Sequence, residues 1–123
     1  MRVSTAMVMV NGLATPYRRW GSGPTVLLLG TAEATAVALA SSFRVIVPEL
    51  PLGFSEPGAA EWLGGIYEGL GITKAAIVTT CDLARAAGQL HHEAPERVTG
   101  IFIVDIMTPD VTGLRKAVQR SFR

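Results

Sequence analysis

Few residues in this chain have chemistry to offer, and the most reactive of them is a lone cysteine. Cys81 follows the apolar run Ala75-Ala-Ile-Val-Thr-Thr80 and precedes Asp82-Leu83-Ala84, where the pattern turns helical. A cysteine at a helix N-terminus has its thiolate favoured, because the helix dipole stabilises negative charge. The backbone N–H of Asp82, with one from the stretch Gly30, Thr31 and Ala32, could then receive a developing oxyanion. Three features oppose this reading. The Asp82 carboxylate disfavours a neighbouring thiolate, Leu83 is hard to fit in a strained turn, and a nucleophile of this type needs a base. The plainer reading, which we favour, is a buried cysteine at a strand-to-helix junction.

His91 and His92 are the only histidines. They lie about ten residues down the helix that starts near Cys81, roughly 15 Å away at 1.5 Å per residue. Neither reaches Cys81 within one chain, so they serve it only from another subunit. Otherwise they are a surface pair near a helix end. Adjacent histidines on a helix point in different directions, so no zinc site is expected from them. Asp105 closes the last apolar strand and is a candidate acid, with capping or loop hydrogen bonding as its plainer role. Ser55 and Glu49 most simply shape a loop.

The elements that must carry these residues follow from periodicity. Ala6 to Val10 reads as a strand, Asn11-Gly12 as a hairpin turn, and Ala14 to Trp20 as the returning strand. Thr25 to Leu29 is a continuous apolar run, the mark of a strand buried on both faces. A short Ala-rich helix to Ser42 follows Gly30-Thr31, then the strand Phe43 to Val47, stopped by Pro48. Ser55 and Pro57 suit the start of the next helix. Trp62, Ile66 and Leu70 recur along it at helical spacing, with Tyr67 beside them. Gly64, Gly65 and Gly69 weaken this helix, and Gly71 ends it. Ala75 to Thr79 is a strand, Asp82 to Glu93 a helix, and Val98 to Val104 the last strand. A final helix opens at Thr112, with Leu114, Ala117, Val118 and Phe122 on one face. Strands alternate with helices from Thr25 onward. That predicts a three-layer α/β domain over residues 1–123, with about six mostly parallel strands and helices on both faces.

Composition narrows the class. The chain has 123 residues, 49% hydrophobic and 17% charged, with a formal net charge of +1. It is too apolar to be disordered and has no clustered basic face for a nucleic acid. Arg115, Lys116, Arg120 and Arg123 read as the solvated side of a helix. One cysteine forms no internal disulfide, and the run Ala6 to Val10 is too short for a signal-peptide core or a membrane span. The expectation is a cytoplasmic protein without a membrane partner. No cofactor or metal is called for.

Several stretches, in order, resemble the α/β-hydrolase family. Val10-Asn-Gly12 and Tyr17-Arg-Arg-Trp-Gly21 are similar to its first hairpin. Val26-Leu-Leu-Leu-Gly30 sits where the family has a strand ending in His-Gly. Phe43-Arg-Val-Ile-Val-Pro-Glu-Leu-Pro-Leu-Gly-Phe-Ser55 resembles its strand and Asp-Leu-Pro-Gly-x-Gly-x-Ser loop. Leu70-Gly-Ile-Thr-Lys-Ala-Ala-Ile-Val78 resembles the lead into the nucleophile strand, and Ala94-Pro-Glu-Arg-Val98 with Ile101-Phe-Ile-Val-Asp105 the strand after it. The resemblance implies an ester- or thioester-cleaving fold with its nucleophile at position 81. The departures bear on activity. The family's elbow is Gly-x-Ser-x-Gly, but here Thr79 and Leu83 stand at the glycine positions and Cys81 at the serine. Leu29 replaces the oxyanion-strand histidine. The sequence also ends one strand past the elbow, without the usual acid and histidine strands or a cap, as a minimal, truncated member would.

Three readings follow. The first is a hydrolase-like domain without an intrachain triad, weakly catalytic or non-catalytic, that binds a small acyl ligand or assembles. The second is an esterase or thioesterase using Cys81, completed by a neighbouring subunit. The third, a nucleotide-binding βαβ domain using Gly30-Thr31, lacks the glycine pattern that chemistry needs. A homo-oligomer is expected, because the edge strand Ile101-Phe-Ile-Val104 carries neither lysine nor proline to blunt it.

Overall fold

The computed structural model of the chain describes residues 3–10, 12–30, 33–49, 59–80, 84–104 and 111–122. Strand β1 (Val3–Val10) and strand β2 (Leu13–Trp20) form an antiparallel hairpin in unbroken register, from Val10 opposite Leu13 to Val3 opposite Trp20. Strand β3 (Thr25–Leu29) leads to helix α1 (Glu33–Leu39), and strand β4 (Arg44–Pro48) to helix α2 (Ala59–Leu70). Strand β5 (Ala75–Thr79) leads to helix α3 (Ala84–Glu93). A short 3-10 turn at Pro95–Arg97 then enters strand β6 (Val98–Ile103), and helix α4 (Val111–Ser121) closes the described chain.

The six strands form one sheet in the order β1-β2-β4-β3-β5-β6. β1, β2 and β4 are joined antiparallel, whereas β4, β3, β5 and β6 run parallel. The hairpin therefore lies at one edge and β6 at the other, as the alternation of elements predicts. Boundaries differ slightly from the sequence reading. The fourth strand takes in Pro48 rather than stopping before it, and β6 ends at Ile103.

β3 and β5 are buried at every residue because helices cover both faces. Leu27, Leu29 and Ile77 pack with Trp62, Leu63, Ile66 and Tyr67 of α2 and Ala87 and Leu90 of α3. Val26, Leu28, Ala76 and Val78 pack on the opposite face with Ala36 and Leu39 of α1 and Leu114 and Val118 of α4. The alternation of side chains along each strand splits the core in this way. At about 1.5–3 kcal/mol for each fully buried large aliphatic side chain, these two layers dominate the stability.

Three sets of hydrogen bonds fix the helices. The Ile72 N–H donates to the Tyr67 carbonyl (2.8 Å) and the Gly71 N–H to that of Glu68 (3.3 Å), closing the C-terminus of α2. On the other face, Arg115 Nη2 of α4 donates to the Ala38 carbonyl of α1 (3.0 Å). The hydroxyls of Ser121 and Thr99 bond at 2.9 Å, tying the end of α4 to the start of β6.

Candidate functional site

The central strands end together. Leu29 of β3 is in register with Thr79 of β5, which is in register with Ile103 of β6. The Thr80 N–H donates to the Leu29 carbonyl (3.4 Å), and the Val104 N–H donates to the Thr79 carbonyl (2.9 Å). Three adjacent strands therefore release their chains side by side at one end of the sheet. Gly30, Thr80 and Val104 are the residues at which they do so. In open α/β sheets this end, beyond the carboxyl termini of the strands, is where ligands bind.

Gly30 leaves β3 with φ 71°. A side chain in that left-handed conformation costs on the order of 1–2 kcal/mol, so glycine suits this exit. Thr79 and Thr80 are buried, and the Thr79 hydroxyl donates to the Thr80 carbonyl (3.0 Å). That bond satisfies a buried hydroxyl at the exit of β5 and uses it locally.

Cys81, Asp82, Thr31, Asp105 and Ser55 lie outside the described residues. In the chain, Cys81 and Asp105 each directly follow one of the described exit residues, Thr80 and Val104. The histidines are elsewhere. His91 and His92 are exposed in the last turn of α3. That turn leads through Pro95–Arg97 into Val98, which stands opposite Ala75 at the start of β5. The pair therefore sits at the far end of the sheet from Gly30 and Thr80, and the structure does not bring it to them. Glu49 is exposed just past β4. Its N–H donates to the Pro16 carbonyl (2.8 Å), and with Tyr17 and Pro48 it borders a surface cleft of ≈ 360 Å³.

Among the described residues there is no group of three or more metal-ligating side chains, and no helix is long and apolar enough to cross a membrane. No protein-family model and no curated protein matches the chain. Solved structures do match, and they identify the architecture. An epoxide hydrolase from Vigna radiata superposes with TM-score 0.71 at 20% identity, over 94% of this chain and 46% of that one. A haloalkane dehalogenase from Bradyrhizobium elkani superposes with TM-score 0.69 at 24% identity, over 81% and 40%. The epoxide hydrolase CorEH gives TM-score 0.73 at 22% identity, over 85% and 42%. The chain has the α/β-hydrolase fold. It spans about two-fifths of the length of the structures it matches.

Proposed function

We propose that this domain binds a small acyl-type ligand at the exits of β3, β5 and β6, and that it hydrolyses esters weakly or not at all. The observation that supports the binding site is the in-register ending of the three strands, with Gly30 turning away at φ 71° beside the chain that leads into Cys81. In this reading the backbone of residues 30–32 and the N–H of Asp82 provide the polar contacts for the acyl carbonyl. Weak catalysis follows from the histidines. A cysteine nucleophile needs a base within hydrogen-bond reach, and His91 and His92 stand at the other end of the sheet.

Alkylation of Cys81 at neutral pH, read by mass spectrometry, tests the reading. A short acyl thioester should slow the labelling without being consumed. Failure of the thioester to protect Cys81, together with no measurable binding by calorimetry, would overturn it.

The second reading, a thioesterase using Cys81, rests on the exposure of His91 and His92. Their position leaves them available to another chain's site. It requires an assembly in which the α3 end of one subunit meets the strand exits of another. Steady thioester turnover that disappears in both Cys81→Ala and His91→Ala/His92→Ala would establish it.

A further inference from the structure

Two strands, β1 and β6, end the sheet among the described residues, and the outer side of β1 is the less defended of the two. β1 comes first in the strand order, so β2 is its one neighbour among the described residues. Its eight residues, Val3–Val10, contain no charge, no proline and no glycine. Its register with β2 has no bulge. Those are the features by which natural edge strands are normally blunted, and β1 has none of them. α2 covers one face, where Val8 and Val10 are buried. On the other face Met7 is 60% exposed and Met9 61%, large apolar side chains that a solitary sheet edge has no reason to present. β6, the edge at the other end of the strand order, also exposes Ile103 (60%), but Gly100 lies within it and its register with β5 shifts between Ala75 and Ala76, two interruptions that β1 lacks.

We infer that two copies of this chain pair through β1, antiparallel about a two-fold axis perpendicular to the sheet, with Met7 opposite Met7 of the second copy. Such an axis keeps each face of the sheet on its own side. Because side chains alternate, odd-numbered residues then oppose odd-numbered ones. Centring on Met7 sets Thr5 against Met9, Ala6 against Val8 and Ser4 against Val10, and gathers the methionines of both copies into one apolar strip.

Charge agrees with a second copy as the occupant. No charged residue lies within Val3–Val10. Among the described residues the nearest cations, Arg18 and Arg19, are one strand in, where Arg18 lies over the Trp20 ring at 5.1 Å. The β2 strands of the two copies are three strand spacings apart, about 14 Å at roughly 4.8 Å each. That exceeds the Debye length of about 8–10 Å at physiological salt.

This dimer keeps the two sites apart. From β5 of one copy to β5 of the other is nine spacings, roughly 43 Å at about 4.8 Å each. The acyl-binding reading survives it, and the shared-histidine reading does not.

Sedimentation velocity of the whole chain from about 1 to 100 µM tests the pairing. The expected result is a concentration-dependent dimer, with the dissociation constant raised at least about a hundredfold by Met7→Lys/Met9→Lys. Both positions are exposed, so circular dichroism and the urea midpoint of that variant should stay close to the parent's. A second measurement uses Met7→Cys in a Cys81→Ser background. Mild oxidation should give a disulfide-linked dimer, whereas Lys116→Cys in the same background should not. A monomer at 100 µM, an unchanged dimer in the lysine variant, or equal cross-linking from position 116 would each overturn the proposal.

Discussion

Gly69 of α2 sits directly over Val8 of β1: a Cβ built on Gly69 would collide with the Val8 side chain and stand 3.3 Å from the Met9 carbonyl oxygen. The helix approaches the hairpin this closely because position 69 is empty. Gly64, one turn and a half earlier, has nothing within 4 Å of the same added atom.

The two glycines should respond oppositely to alanine. Gly69→Ala overpacks the helix–strand contact and should destabilise by about 1–3 kcal/mol. Gly64→Ala gains helix propensity and should stabilise by roughly 0.5–1 kcal/mol. Urea denaturation of the two single variants checks both signs.

The Tyr67 hydroxyl is buried and has no hydrogen-bond partner among the described residues, with the Arg97 guanidinium 5.9 Å from its ring centre. Burial pushes its pKa well above the ordinary phenol value, and Arg97 opposes this only in part. The neutral phenol is thus favoured by folding. Its contribution is complete below about pH 10, the unfolded value, and falls as pH rises toward the folded one. Tyr67→Phe should be neutral or slightly stabilising at pH 7, within about 1 kcal/mol, since an unsatisfied buried group is removed. It should also lose less stability than the parent between pH 8 and 11. Urea midpoints of both proteins at the two pH values decide this.

Hydrolysis of a nitrophenyl ester should stay at least about a thousandfold below the 10⁴–10⁸ M⁻¹s⁻¹ typical of enzymes. Whatever remains should be lost in Cys81→Ala and indifferent to His91→Ala/His92→Ala. A full-strength rate in the purified chain, followed with and without the cysteine, would contradict this.

Gly30→Ala should cost on the order of 1–2 kcal/mol, because alanine must take up a φ of 71°. If residues 30–32 contact the acyl carbonyl, the same variant should also weaken thioester protection of Cys81 beyond its effect on folding. Thermal unfolding and the alkylation assay, run side by side, separate the two effects.

The centre of the fold was legible because it is local. Thr25 to Leu29 and Ala75 to Thr79 are unbroken apolar runs between turn residues, and both are fully buried strands. Leu114 and Val118 recur four apart and are both buried. In the sequence Gly69 reads as a residue that weakens a helix, whereas in the fold it is the point of close approach to Val8. No local pattern reports that, since it depends on how α2 crosses β1. The exposure of Met7 and Met9 was hidden for a related reason. Alternation shows that they share a face, but α2 decides which face is covered. Of the candidate site, the exit at Gly30 and the remoteness of the histidines could both be read from strand and helix order.

The strand order also sets the timing of assembly. β3 is translated first among the parallel strands, yet its two neighbours are β4 and β5, both later in the chain. Until Ala75 to Thr79 has left the ribosome, Thr-Val-Leu-Leu-Leu keeps one hydrogen-bonding side open. Closing it needs contacts across more than forty residues, which slows folding and prolongs exposure of an aggregation-prone segment. The hairpin of β1 and β2 is joined by two residues and can form within microseconds. Chains released before residue 75 should therefore depend on chaperones, whereas chains carrying β5 should be freed from them.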